Sequence, residues 1–174
     1  MTPPKGARSN QVTDVKPEDE AARCLKQPFE APSTVRNFDL KDGHATGGEA
    51  CYGADANTVV DSNPPATPKG FDESDPNMER GHLIARSFRG SSGVENIVPI
   101  FYTANHSGMT RVEHKIWDAV SMRRRVYYFI KPEYGEDSDV PVRFYVYMKT
   151  GAYDNPITGY HPEEVFTQTI DNVP

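Results

Sequence analysis

His82 stands behind a glycine in the run Glu79-Arg80-Gly81-His82, and Asn96, Asn105 and Glu113 follow it. An imidazole titrates at ~6.5 when unperturbed and can take a proton from water. Two carboxamides and a carboxylate supply oxygen donors for a hard divalent cation, held directly or through the waters Mg2+ retains. Together these types suit metal-assisted hydrolysis of a phosphodiester. Sulfur and clustered histidines, the usual zinc donors, are missing from the set. Gly81 removes side-chain bulk, which would let a substrate approach the backbone closely. Each residue also has a plainer role. His82 could be structural, Asn105 a helix cap, Glu113 a solvated helix residue, Asn96 a turn residue and Arg80 the ion-pair partner of Glu79. Their order and spacing favour the site.

Such a set needs a strand, a turn, a second strand and a helix to bring it together. Residues 80–88 begin as a strand, 89–93 make a turn, and 96–102 read as a second strand in which Pro99 demands an edge or irregular position. Ser107 or Asn105 caps a helix running to about Met122, with Val112, Ile116, Trp117 and Val120 as one apolar stripe. Asn105 then sits at the helix entrance and Glu113 two turns further in. Residues 124–132 and 140–149, rich in Val, Tyr and Phe, read as antiparallel strands around the acidic loop 133–139, and 164–170 as a final strand. Upstream, 34–40 and 58–61 are candidate short strands, and the prolines of 61–70 make a loop. Trp117 and residues 127–129 are read as core. Residues 1–20 are polar, hold three prolines and lack periodicity, so they read as a flexible arm. At 174 residues the remainder, 21–174, fits one domain with its motif-bearing core at 79–122.

The net charge of −6 is unevenly spread. Residues 1–78 carry 8 Lys+Arg against 13 Asp+Glu, 79–131 carry 9 against 4, and 132–174 carry 2 against 8. A basic middle third is what phosphate binding asks for, because phosphates respond to local charge. Within it, residues 123–125 read as cations at a helix C-terminus, serving the dipole and solubility, with a nucleic-acid contact as the alternative. No apolar run approaches the ~20 residues of a membrane helix, and the first residues lack the apolar stretch of a signal peptide. Secretion by another route, or origin within a longer protein, is the expectation. Cys24 and Cys51 either close one disulfide, worth ~3–4 kcal/mol in an oxidising compartment, or remain two reduced thiols.

The run Glu79-Arg80-Gly81-His82-Leu83-Ile84-Ala85, then Asn96-Ile97-Val98-Pro99, then Asn105, then Glu113 with Trp117 four residues on, resembles the DNA/RNA non-specific endonuclease family. The resemblance covers about residues 71–150. It implies an α+β chain with the ββα-metal nuclease fold: an antiparallel β-sheet, the motif-bearing helix packed against it, and long loops. It further implies His82 as general base and Asn105 as direct ligand of a single Mg2+ or Mn2+. Glu113 would hold water around the ion, Arg80 would bind phosphate and Asn96 would support or orient the site. Substrates would be DNA and RNA, cut with little sequence preference to leave 5′-phosphate ends. One residue departs from the pattern, since the family's first acid is aspartate and here it is Glu79. An upstream family arginine is not placed, with Arg36 one candidate. The chain also resembles the C-terminal toxin module of a larger secreted effector, which implies a dedicated inhibitor protein; no membrane partner is expected, for want of an apolar run. Set against this is a catalytically idle binding module on the same scaffold.

Overall fold

The structure, a computed structural model, describes residues 15–174. Its centre is a five-stranded antiparallel sheet in the order β1-β2-β5-β6-β9. β1 is Thr34–Asn37, β2 Gly48–Tyr52, β5 Val126–Tyr134, β6 Pro141–Thr150 and β9 Glu164–Asp171. Alternate residues of a strand face opposite sides of a sheet, and β5 is buried on both. Val126, Tyr128 and Ile130 join the larger core with Val146 and Met148 of β6. Tyr127 and Phe129 join a second core with Tyr147 and with Ala21 and Cys24. Helix α2 (Thr110–Ser121) contributes Val112, Ile116 and Ala119 to the first core, and helix α1 (Pro17–Leu25) covers the second. A disulfide between Cys24 and Cys51 ties α1 to β2.

The motif lies on a separate two-stranded ribbon, β3 (Met78–His82) paired antiparallel with β4 (Ile97–Phe101). Pro99, opposite Arg80, is tolerated because each strand of a two-stranded ribbon has a free edge. β4 leads through a π-helical turn, Ala104–Met109, into α2. Strand, strand and helix thus follow one another as the ββα-metal fold requires, with the helix packed on the antiparallel sheet. A small hairpin, β7 (Tyr153–Asn155) and β8 (Gly159–His161), completes the elements.

Several expectations are corrected. Helix α1 starts at Pro17, inside the stretch read as an arm; residues 1–14 lie outside the described residues. A proline at the first helical position and Glu18, Asp19 and Glu20 in the first turn suit a helix start. Residues 58–61 form no strand, and the short strand is β2 instead. Neither Asn105 nor Ser107 caps a helix, because the chain is already helical when it reaches them. Trp117 is 48 % exposed, and Ala119 takes its place in the buried stripe. Arg124 and Arg125 are buried: Arg124 donates to the carbonyls of Gly151 (2.8 Å) and Pro162 (2.7 Å), and Arg125 to those of Pro28 (3.1 Å) and Ala31 (2.9 Å). They satisfy loop carbonyls, so part of the basic excess of the middle third is internal. No helix among the described residues is long and apolar enough to cross a membrane.

Candidate active site

Gly81 is required by packing. A Cβ there would lie 2.3 Å from Cγ2 of Ile100, so the space it leaves is filled by the neighbouring strand rather than by substrate. Beyond His82 the chain leaves the ribbon and is anchored at three points. Tyr128 donates its hydroxyl to the Leu83 carbonyl (2.8 Å), and Tyr52 donates to that of Phe88 (2.7 Å). Between them, fully buried Asn96 clasps Ile84 on both sides. Its Oδ1 accepts from the Ile84 amide (2.9 Å) while its Nδ2 donates to the Ile84 carbonyl (2.9 Å). The same carboxamide also accepts from Asn37 Nδ2 (2.9 Å) and donates to the Ser91 carbonyl (2.8 Å). With all its polar atoms engaged inside the protein, Asn96 has no means of touching a substrate; it is a staple for the segment that carries His82.

That segment and the helix entrance face each other across an open depression of about 460 Å³. His82 and Arg86 line one part of it, Asn105, His106 and Glu113 another, and exposed Val59 its rim. The Nε2 atom of His82 is buried and has no hydrogen-bond partner among the described residues. Burial and the nearby Arg86 cation push this imidazole below its usual pKa, against a smaller opposing pull from Asp61. The ring is therefore biased towards the neutral, proton-accepting form. Burial pushes the Glu113 carboxyl up, with His114 acting the other way.

Glu79 reaches the helix entrance. Its Oε2 accepts from Asn105 Nδ2 at 2.6 Å, and both its oxygens lie within 3.0 Å of His106 Nε2. His106 in turn stacks on Tyr102, ring centroids 4.2 Å apart. With the amide nitrogen of Asn105 held by Glu79, the carboxamide is fixed in one orientation and its oxygen is left without a recorded partner among the described residues. That oxygen and the Glu113 carboxylate form an oxygen donor set suited to a hard divalent cation that keeps most of its waters. A zinc-like cluster is a different matter: no group of three or more His, Cys, Asp or Glu placed to hold a metal occurs among the described residues.

Arg80, expected at the phosphate, and Arg36, the unplaced upstream candidate, both stand apart from the depression. Arg80 lies over the Phe71 ring, 5.0 Å from its centroid, and pairs with Glu73 at 3.2 Å. Arg36 pairs with Glu49 at 2.8 Å on β1. The structure brings together His82, Asn105 and Glu113 around the depression, holds Asn96 on the segment that follows His82, and leaves Arg80 outside the depression. Arg86 and His106 were not foreseen at the site. Arg86 sits four residues past His82 in a short 3-10 turn, a geometry that strand periodicity does not signal.

A sequence profile of the DNA/RNA non-specific endonuclease family matches residues 52–152. No curated protein sequence matches the chain. Among solved structures, NucA from Streptococcus agalactiae with no metal bound is similar at 18 % identity, with a TM-score of 0.65 over 85 % of this chain and 75 % of that one. The same nuclease with a magnesium ion bound gives 19 %, 0.61, 85 % and 76 %. A structure described as an extracellular endonuclease gives 16 %, 0.59, 100 % and 93 %. These likenesses show the fold, and the profile covers more than half of the sequence, including the whole of the depression's chemistry. The chain belongs to the DNA/RNA non-specific endonuclease family and is a nuclease of the hydrolase class.

Proposed function

We propose that the chain cuts DNA and RNA internally with little sequence preference, dependent on Mg2+ or Mn2+, and leaves 5′-phosphate and 3′-hydroxyl ends. The observation that carries this is the convergence of His82, Asn105 and Glu113 on one open depression. His82 takes a proton from water, whose oxygen bonds to phosphorus as the bond from phosphorus to the 3′ oxygen breaks. The departing 3′ oxygen takes a proton from solvent. Asn105 would hold the cation through its oxygen, oriented by Glu79, and Glu113 would hold waters around it. When bound, that cation supplies neutralisation of the phosphate charge and of the leaving oxygen. The magnesium ion in the NucA structure supports the choice of ion. Arg80, engaged with Phe71 and Glu73, shapes β3 beside the site. Little sequence preference follows from reading phosphates, which carry no base information.

Glu79 in place of aspartate does not favour an idle module, because the longer acid reaches Asn105 at 2.6 Å. A buried disulfide suits an oxidising compartment, which supports action outside the producing cell. Delivery as a toxin module with a dedicated inhibitor belongs to the same reading, the acidic flanks offering it a surface. Growth arrest of a bacterial host by the parent chain but not by His82→Ala is its test. For the chemistry, supercoiled plasmid should be nicked with Mg2+, spared in EDTA and spared by His82→Ala. Nicking by His82→Ala at the parental rate would remove His82 from the mechanism.

A further inference from the structure

The proposed reaction develops negative charge on the phosphate, and Arg80, the arginine of the motif itself, is turned to Phe71 and Glu73. We propose that Arg86 is the arginine that grips the scissile phosphate, through its guanidinium on a non-bridging oxygen. This rests on the nuclease reading given above. Arg86 lines the depression together with His82, Asn105 and Glu113. It is exposed, and its recorded contact is a long one, Nη2 to the neutral Ser62 carbonyl at 3.5 Å. No carboxylate pairs with it among the described residues. Elsewhere in the basic third, Arg80, Arg89 and Arg123 are held by Glu73, Asp55 and Glu30, and Arg124 and Arg125 by carbonyls. Arg111 is exposed but lies outside the depression.

Its backbone is fixed while its side chain is tied only by the long Ser62 contact, which is the arrangement a phosphate clamp needs. The 3-10 turn Arg86–Phe88 is held between the Asn96 clasp on Ile84 and the Tyr52 bond to Phe88. Arg89 closes the turn in the left-handed region (φ 70°), its amide bonded to the Thr58 carbonyl at 3.0 Å. A planar guanidinium can give two parallel hydrogen bonds to a phosphate, with charge and direction together. The same cation sits close enough to His82 to favour the neutral ring, so one residue serves both base and phosphate.

The test separates binding from chemistry. In the His82→Ala background, with EDTA present, binding of a short fluorescein-labelled duplex is followed by anisotropy across a salt series. Adding Arg86→Ala should weaken binding several-fold at low salt and lower the slope of log K against log salt by about 0.9, the value of one phosphate contact. In the otherwise native chain, Arg86→Ala should lower kcat about 100-fold or more, the cost of removing one donor aimed at developing charge. Arg86→Lys should keep the salt slope and recover only part of the rate. Circular dichroism of each variant excludes unfolding as the cause. An unchanged slope with a rate within about twofold of the parent overturns the proposal. So does an unchanged slope with a lowered rate, which would confine Arg86 to its influence on His82. Cleavage by His82→Ala would instead break the base assignment while leaving the Arg86 result readable.

Discussion

Asn96→Ala tests whether the buried carboxamide is what holds His82 and Arg86 in place. The side chain makes four hydrogen bonds, to the amide and carbonyl of Ile84, to Asn37 and to Ser91, with no exposed surface. At about 1 kcal/mol net for each, the substitution should cost about 4 kcal/mol. For a chain of this length that lowers Tm by about 8–16 °C. Asn96→Asp keeps both acceptor bonds but turns a buried anion towards two carbonyls, so it should be at least as harmful. Differential scanning calorimetry gives Tm, and plasmid nicking at 20 °C or so below the variant's own Tm gives activity on folded protein. Nicking should fall about 100-fold there, because a small misplacement of the base removes near-attack geometry. A Tm within about 2 °C of the parent, or parental nicking by folded Asn96→Ala, would refute the staple.

Reduction of the Cys24–Cys51 disulfide, or Cys24→Ser with Cys51→Ser, frees a 27-residue loop and should cost about 3.5 kcal/mol in the chain-entropy model, read as a lowered urea midpoint. Glu113→Gln should lower nicking yet raise Tm at pH 7. Its raised folded-state pKa means the ionised form is held at a cost that vanishes as pH falls below the unfolded value of ~4.3, so the Tm gain should disappear at pH 4 or so. The acid limb of kcat/KM should lie below ~6.5, since burial and Arg86 lower the His82 pKa. The same shift makes the unfolded chain bind the proton more readily. The His82 contribution to stability is therefore full above ~6.5 and lost as pH falls through the lower folded value. An acid limb well above ~6.5 would contradict the neutral-ring account.

The ribbon and helix were legible because their signals are local. Residues 96–102 alternate little yet end in turns, and Val112 and Ile116 mark the buried face of α2. β5 and β6 were legible from their Val, Tyr and Phe content, though burial on both faces of β5 comes only from α1 docking on the far side. β2 was missed because Gly48 and Ala50 are weak strand formers, chosen for fit: a Cβ on Gly48 would lie 2.8 Å from Ile84. Trp117 was misread since apolar character does not say which side of a helix is covered. At the site, His82, Asn105 and Glu113 were legible from type and spacing. The engagement of Arg80 with Phe71 and Glu73, and the role of Asn96 as a clasp, depend on partners that only folding brings near. Glu79, the one departure in the motif, is explained by its reach to both Asn105 and His106.

Chemical rescue of His82→Ala tests the central claim most directly. With Mg2+ and labelled plasmid, the variant should be nearly inactive, and added imidazole should restore nicking in proportion to its neutral form, with 5′-phosphate ends throughout. Parental nicking without imidazole, or ends bearing 3′-phosphate, would contradict His82 as the group that takes the proton from water.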